Sequence, residues 1–179
     1  MESLTNFAGR ELFWTPSRTE KRTYELGMDG RTVATLYQPS IWRQERVAVT
    51  AGGRWRFARV GFLRQRLVIS DADTGAEVAQ IARSAWTRSV TLTLSDGKQY
   101  QWRSGSFWGS KWVWLDAAKQ PLLHFRQFGV LRFQCAVMVE PQAASDPHLA
   151  LLMTLGWYLM LLMRADTAAV VATTAGASH

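Results

Sequence analysis

The feature that most constrains this chain is an uncharged apolar stretch near its C-terminus, Leu149 to Met163, which reads LALLMTLGWYLMLLM. It has no polar face, and a helix that is apolar on every side must be buried in protein or in lipid. The chain before it, from about residue 11 to residue 140, has the pattern of short β-strands and tight turns. The helix therefore either spans a bilayer or fills a structure that the strands build.

Length and end signals favour a helix inside the protein. Residues 146–163 would give roughly 27 Å of helix at about 1.5 Å per residue, whereas a bilayer core needs about 20 mostly apolar residues. Asp146 is suited to cap the first turn, and Pro147 fits the first helical position. Arg164 suits the negative end of the helix dipole. We therefore predict a helix over residues 146–164 that forms the core of its own domain.

Twelve short strands are predicted before the helix from alternating apolar residues and from turn residues. Alternation is clear in Val90 to Leu94 and in Leu131 to Val139, as is typical of half-buried strands. Asp29-Gly30 and Asp96-Gly97 stand between alternating segments, and Asp-Gly in that position predicts a type I′ hairpin turn. The predicted strands cover about residues 11–15, 21–28, 31–38, 42–50, 54–60, 65–70, 76–83, 88–95, 98–103, 110–116, 121–127 and 131–140.

Strands of this number and spacing predict a mainly β fold, a closed antiparallel barrel of about twelve strands with the C-terminal hydrophobic helix threaded through the centre. A barrel of that size has a lumen wider than its own side chains fill, and the apolar helix is the candidate to occupy it. Tryptophan is abundant, and large aromatic side chains suit a wide interior. The β-rich middle of the chain contains Trp42, Trp55, Trp86, Trp102, Trp112 and Trp114.

The chain is expected to be one domain. Residues 1–10 are a lead-in, residues 11–164 are the barrel with its helix, and the low-complexity residues 165–179 are predicted to be a disordered tail. The N-terminus lacks the pattern of a secretory signal, and the single cysteine excludes an internal disulfide. We expect a cytoplasmic monomer that associates peripherally with a membrane.

No residue pattern in the chain predicts catalysis, a cofactor or a metal. The three histidines (His124, His148 and His179) lack ligand-like spacing, and Cys135 lies on an apolar strand face, where it is expected to be a small buried hydrophobe. Asp71, Asp73 and Glu77 lack the remainder of an EF-hand loop and are interpreted as a turn. A non-enzymatic class is therefore favoured.

One segment is strongly basic. Residues 43–66 contain seven arginines against one acid, Glu45, and account for most of the net charge of +7. Alternation along the predicted strands puts four of the arginines on one outer surface, and the candidate ligands for an anionic headgroup are Arg54, Arg56, Arg64 and Arg66, with Arg43 and Arg46. Arginine pairs well with phosphate. The alternative is a solvated basic face that aids solubility.

The predicted barrel, the acidic hairpin turns and the C-terminal apolar helix together resemble the tubby-like superfamily, which includes tubby C-terminal domains, plant LURP-one-related proteins and phospholipid scramblases. The resemblance covers about residues 10–164 and rests on architecture and the turn pattern. It implies a helix threaded through the barrel and phosphoinositide binding by basic residues on the barrel surface. The proline-rich region and cysteine cluster of animal scramblases are missing, and no lipid-binding motif aligns residue by residue.

Three functional hypotheses follow from these patterns. The first is a non-enzymatic domain that docks peripherally on anionic phospholipid or phosphoinositide through its arginines. The second is a scaffold for a protein partner, in which the charge is incidental. The third is a scramblase-like protein whose apolar helix is embedded in lipid. Nucleic acid is a weaker alternative, because no known binding motif accompanies the basic segment.

Overall fold

The computed structural model describes residues 4–42, 45–61, 66–82, 89–105, 110–129 and 133–176. Twelve strands and one long helix make up most of these residues, which confirms the predicted mainly β class. The strands are β1 Glu11–Pro16, β2 Thr23–Met28, β3 Arg31–Tyr37, β4 Glu45–Thr50, β5 Gly53–Val60, β6 Arg66–Asp71, β7 Glu77–Ala82, β8 Ser89–Thr93, β9 Gln99–Ser104, β10 Lys111–Leu115, β11 Pro121–Phe128 and β12 Gln134–Val139. The helix α1 is Leu149–Gly176, and short 3-10 turns cover Leu4–Phe7 and Pro141–Ser145.

The strands form a single antiparallel sheet that curls into a nearly closed barrel. Consecutive strands pair from β1 to β7 and from β8 to β12, and β1 pairs with β12, so the two edges of the sheet are β7 and β8. These edges meet at a seam, where the amide of Ser95 donates a hydrogen bond of 2.9 Å to the carbonyl of Val78. An up-and-down path of this kind places alternate connections at opposite ends of the barrel.

The turn chemistry follows the sequence at the β2–β3 hairpin. Asp29 and Gly30 have φ of 53° and 77°, the pair of positive values that a type I′ turn requires. Aspartate and glycine tolerate this backbone conformation better than branched residues do. The predicted hairpin at Asp29-Gly30 is therefore confirmed.

The helix α1 lies inside the barrel, as predicted. Every residue from Leu151 to Met160 is buried. Trp157 stacks on Trp14 of β1 with ring centroids 6.0 Å apart, and Tyr158 stacks on Phe57 of β5 at 5.2 Å. Within the described residues one helical stretch, Leu149–Ala168, is long and apolar enough to cross a membrane, and 67% of it is buried in the barrel.

The ends of α1 differ from the prediction. The helix begins at Leu149, three residues after the predicted start at Asp146, but Asp146 still caps it, because its Oδ1 accepts the amide of His148 at 2.8 Å. At the other end the helix continues past Arg164 to Gly176. The expectation of a disordered tail from residue 165 is therefore wrong as far as Gly176, because no glycine or proline interrupts the helix after Arg164.

Tryptophans fill the barrel on both sides of the helix. Trp14, Trp102 and Trp114 are fully buried, and Trp102 stacks on Trp112 with ring centroids 5.3 Å apart. Trp42 departs from the expectation that the strand-region tryptophans fill the interior, because it is 88% exposed in the β3–β4 connection. Trp86 lies outside the described residues.

Candidate functional site

The two ends of the barrel carry opposite charge. The end of the barrel from which α1 emerges is called the basic rim. The end at which α1 starts is called the acidic rim. The charged residues described at the basic rim are Arg18, Lys21, Arg22, Arg46, Arg59, Arg66, Arg103, Lys111 and Arg164, against Glu20, Glu45 and Asp166. Those at the acidic rim are Glu11, Asp29, Asp71, Asp73, Glu77, Asp96, Asp116, Glu140 and Asp146, against Arg10, Arg31, Arg54, Lys98 and Lys119.

This separation of charge follows from the connections. Aspartates stand in the turns β2–β3, β6–β7, β8–β9 and β10–β11, which the up-and-down path brings to one end. The β1–β2 connection and the strand ends that border the opposite end carry arginine and lysine. The acidic turns were visible in the sequence. In an up-and-down barrel every second turn lies at the same end, and this rule could have revealed the separation of acidic and basic residues.

The outer face of β5 and β6 presents the predicted arginines at different heights of the barrel. Arg54 and Arg56 point outwards on β5, and Arg66 points outwards on β6 opposite Val60. Arg56 therefore lies four strand residues from the level of Arg66, or about 13 Å at 3.3 Å per residue. Arg64, which was also assigned to this face, and the further candidate Arg43 lie outside the described residues.

Arg54 belongs electrostatically to the acidic rim. Its Nη1 lies 2.7 Å from the Oδ1 of Asp73 in the β6–β7 turn. A hydrogen bond with Tyr37 and the charge of Asp73 raise the pKa of the Arg54 guanidinium. Because Asp73 already neutralises it, Arg54 is a weaker ligand for an external anion than Arg66, which is exposed at the basic rim.

Arg46 lies on the inner surface of the barrel and not on the outer face with the other candidates. It is paired across β4 and β5 with Phe57, which points into the core. Its guanidinium carbon lies 5.7 Å from the centroid of the Tyr24 ring, and its Nη1 lies 3.5 Å from the carbonyl oxygen of Arg22. Burial lowers the pKa of Arg46. Arg46 therefore contributes to the basic rim from inside the mouth.

A second inward arginine holds the helix where it leaves the barrel. Arg59, near the end of β5, donates from Nη2 to Oδ1 of Asp166 on α1 at 2.9 Å. Two residues earlier in the helix, the guanidinium of Arg164 lies 4.5 Å from the centroid of the Phe133 ring. Burial raises the pKa of the nearby Tyr158 to about 12 against the opposing charges of Arg59 and Arg46, so this phenol is neutral. The mouth is thus structured by contacts between strands and helix.

Two exposed apolar side chains stand beside these cations. Ile41 is 53% exposed and Trp42 is 88% exposed, and both lie in the β3–β4 connection at the basic rim. Trp42 was predicted to begin a strand over residues 42–50, but β4 begins at Glu45. The Pro39-Ser40 pair that precedes them is a turn signal and could have placed both residues in the connection.

Several carboxylates of the acidic rim make structural contacts. Oδ1 of Asp71 accepts the amides of Asp73 and Thr74 at 3.0 and 2.7 Å, the arrangement of an Asx turn. Asp96 lies 2.7 Å from Nε2 of His148, which joins the β8–β9 turn to the start of α1. In the part of the chain that the structure describes, no three histidine, cysteine or acidic residues are arranged to hold a metal.

Cys135 is a buried core residue, and its thiol is expected to be unreactive in the folded protein. It is fully buried on β12, 3.9 Å from the sulfur of Met160 on α1, and burial raises the pKa of its thiol to about 12. At pH 8 we expect an aromatic disulfide reagent to label it at least about 100-fold more slowly than in the urea-unfolded chain, because labelling requires opening of the barrel. Stoichiometric labelling of the native protein at the unfolded rate would contradict this placement.

Comparison with known proteins gives no match. No family model, curated protein or solved structure matches the chain. The resemblance to the tubby-like superfamily therefore stays a prediction from architecture. The barrel, its internal helix and its two oppositely charged rims are the features from which a function is to be inferred.

Proposed function

We propose that this protein is a non-enzymatic domain that associates peripherally with anionic phospholipid through its basic rim. The observation that carries the proposal is the separation of charge along the barrel axis. Among the described residues the basic rim has nine basic against three acidic side chains, and the acidic rim has five basic against nine acidic. Such a distribution makes the domain an electrostatic dipole that turns one end towards an anionic surface.

The strength and the range of the electrostatic attraction favour a membrane as the partner of the basic rim. A basic side chain close to an anionic leaflet contributes about 1 kcal/mol, and the attraction falls off within about one Debye length, near 10 Å at 0.1 M salt. Arg18, Lys21, Arg66 and Arg103 are all exposed, and no carboxylate among the described residues pairs with them. They are available to a headgroup phosphate, whereas the acidic rim is repelled and faces away.

This proposal moves the contact surface from the outer face of β5 and β6 to the rim. Arg54 is neutralised by Asp73, so it is a poor member of a lipid site, whereas Arg66 belongs to both surfaces. The tubby-like resemblance agrees with lipid as the ligand but supplies no residues. A helix embedded in lipid is less favoured, because its apolar residues already pack against strands inside the barrel.

The test is vesicle co-sedimentation at about 0.1 M salt with the triple variant Arg18→Glu, Lys21→Glu and Arg66→Glu. Removing three rim cations costs about 3 kcal/mol of binding free energy, so affinity for phosphatidylserine-containing vesicles should fall more than about 100-fold. Wild-type binding should also weaken steeply as salt increases.

A matched triple reversal elsewhere on the barrel provides the control. Arg10→Glu, Arg56→Glu and Lys98→Glu change the net charge by the same amount, again at exposed positions, but away from the basic rim. This variant should retain most of the wild-type affinity. Equal losses in both triple variants would show that only net charge matters, and wild-type affinity in the rim variant would overturn the proposal.

A further inference from the structure

The basic rim combines its cations with an exposed apolar tip, formed by Ile41 and Trp42. Among residues 6–168, outside the gaps in the description, only these two and Met138 are large hydrophobic side chains with more than about a third of their surface exposed. Two of the three are therefore adjacent in one connection, at the end of the barrel where positive charge collects. Soluble polyanions such as nucleic acid or inositol phosphates offer no acyl region for such a tip, whereas a bilayer does.

We propose that the domain docks end-on and inserts the Ile41–Trp42 tip into the interfacial region of an anionic bilayer. The inference rests on the function proposed above and names the element that converts electrostatic attraction into insertion. Tryptophan is enriched at membrane interfaces because its ring is apolar and its indole N–H finds polar partners at the headgroups. Binding of this type grows with the apolar area buried and with attraction to anionic lipid, and both contributions arise here at one rim.

Residues 38–42 of the connection that carries the tip are held by hydrogen bonds. The carbonyl of Ser40 accepts a hydrogen bond of 2.9 Å from the side-chain amide of Gln38, and the hydroxyl oxygen of Ser40 accepts the amide of Trp42 at 3.2 Å. The amide of Gln38 donates in turn to the carbonyl of Arg22 at 3.3 Å, which joins this connection to the neighbouring β1–β2 connection. The tip is thus presented on a fixed base, and docking requires little further ordering of the backbone.

The direction of α1 is compatible with this orientation. The helix leaves the barrel at the same rim, and its last acidic or basic residue is Asp166. Residues 167–176 carry no charged side chain, so no charge has to be desolvated if the end of the helix approaches the headgroups. An end-on barrel therefore directs its cations, its tryptophan tip and the uncharged end of α1 to the same side.

The experiment compares wild type, Trp42→Ala, Trp42→Phe and the control Met138→Ala on phosphatidylserine-containing vesicles. Trp42→Ala should weaken binding about tenfold, the loss expected from removing roughly 50 Å² of inserted apolar surface, whereas Met138→Ala should bind like wild type. The emission difference between wild type and Trp42→Phe isolates Trp42 from the other eight tryptophans. This Trp42 emission should shift to shorter wavelength on vesicles, and lipids brominated on their acyl chains should quench it.

The outcomes separate this inference from the function on which it rests. If the wild type binds vesicles, and if Trp42→Ala binds equally well and the Trp42 emission is not quenched, the rim docks by charge alone and the insertion is wrong. If the wild type binds no anionic vesicles, both proposals are wrong. If Trp42→Ala binds a soluble polyanion such as heparin with the affinity of the wild type but binds vesicles more weakly, the result supports the insertion.

Discussion

Replacing Leu155 by aspartate is expected to prevent the barrel from folding. Leu155 is fully buried near the middle of the buried part of α1. Loss of its packing alone would cost about 2–5 kcal/mol, and an unpaired carboxylate in the core adds several kcal/mol or is forced to take up a proton. Because a domain of this size is stable by about 5–15 kcal/mol in total, the variant should be unfolded or insoluble.

The control for this prediction lies on the same helix. Ala168→Asp introduces the same side chain at an exposed position beyond the barrel, and it should change the free energy of unfolding by no more than about 0.5 kcal/mol. Far-ultraviolet circular dichroism and urea denaturation would compare both variants with the wild type. A soluble Leu155→Asp variant with a cooperative unfolding transition would show that α1 is not the core of the barrel.

The interior position of this helix could be predicted from the sequence because two independent signals agreed. LALLMTLGWYLMLLM has no polar face, and the twelve predicted strands require a filled lumen. Turn chemistry was equally informative at Asp29-Gly30, where both residues adopt the positive φ that the pair predicts. Signals of this kind depend on a few residues close together in the chain, and a single sequence is enough to find them.

The candidate site was harder to predict because it depends on register and on the relation between distant connections. The alternation around Glu45, Arg46 and Val47 does not fix which face points inwards, and the pairing of Arg46 with Phe57 does. The ion pair between Arg59 and Asp166 joins residues 107 positions apart, which local patterns cannot foresee. The C-terminal end of α1 was predicted too early, at Arg164. A cation is favourable near the end of a helix, but it does not stop the helix.

A second large effect is expected at Gly156, where α1 passes close to β10 and β11. A Cβ added there would lie 2.5 Å from Cζ of Phe125 on β11 and 2.9 Å from Nε1 of Trp114 on β10. Neither ring has space to withdraw, because both are buried and both pack against Trp102, at centroid distances of 5.1 Å. Glycine at this position therefore allows the close approach of the helix to the barrel wall.

Two opposing energies determine the sign of the effect of Gly156→Ala. Helix propensity alone favours alanine over glycine by about 1 kcal/mol, whereas overpacking a filled core costs about 1–3 kcal/mol. The Cβ distances are well below van der Waals contact, so we expect the clash to dominate and the free energy of unfolding to fall by about 1–2 kcal/mol. Gly156→Val adds two further carbons at the same place and should cost more than about 3 kcal/mol.

A double-mutant cycle with Phe125→Leu tests whether the clash is the cause. A smaller side chain at position 125 opens space beside the helix, so Gly156→Ala should be less destabilising in the Phe125→Leu background than in the wild type. Urea denaturation of the four proteins in the cycle gives the coupling energy, which lies between about 0.5 and 3 kcal/mol for residues in contact. Two results would contradict the clash: additive effects in the cycle, or a Gly156→Ala variant that is more stable than the wild type. Either would mean that a Cβ at position 156 lies farther from Phe125 than the 2.5 Å given by the structure.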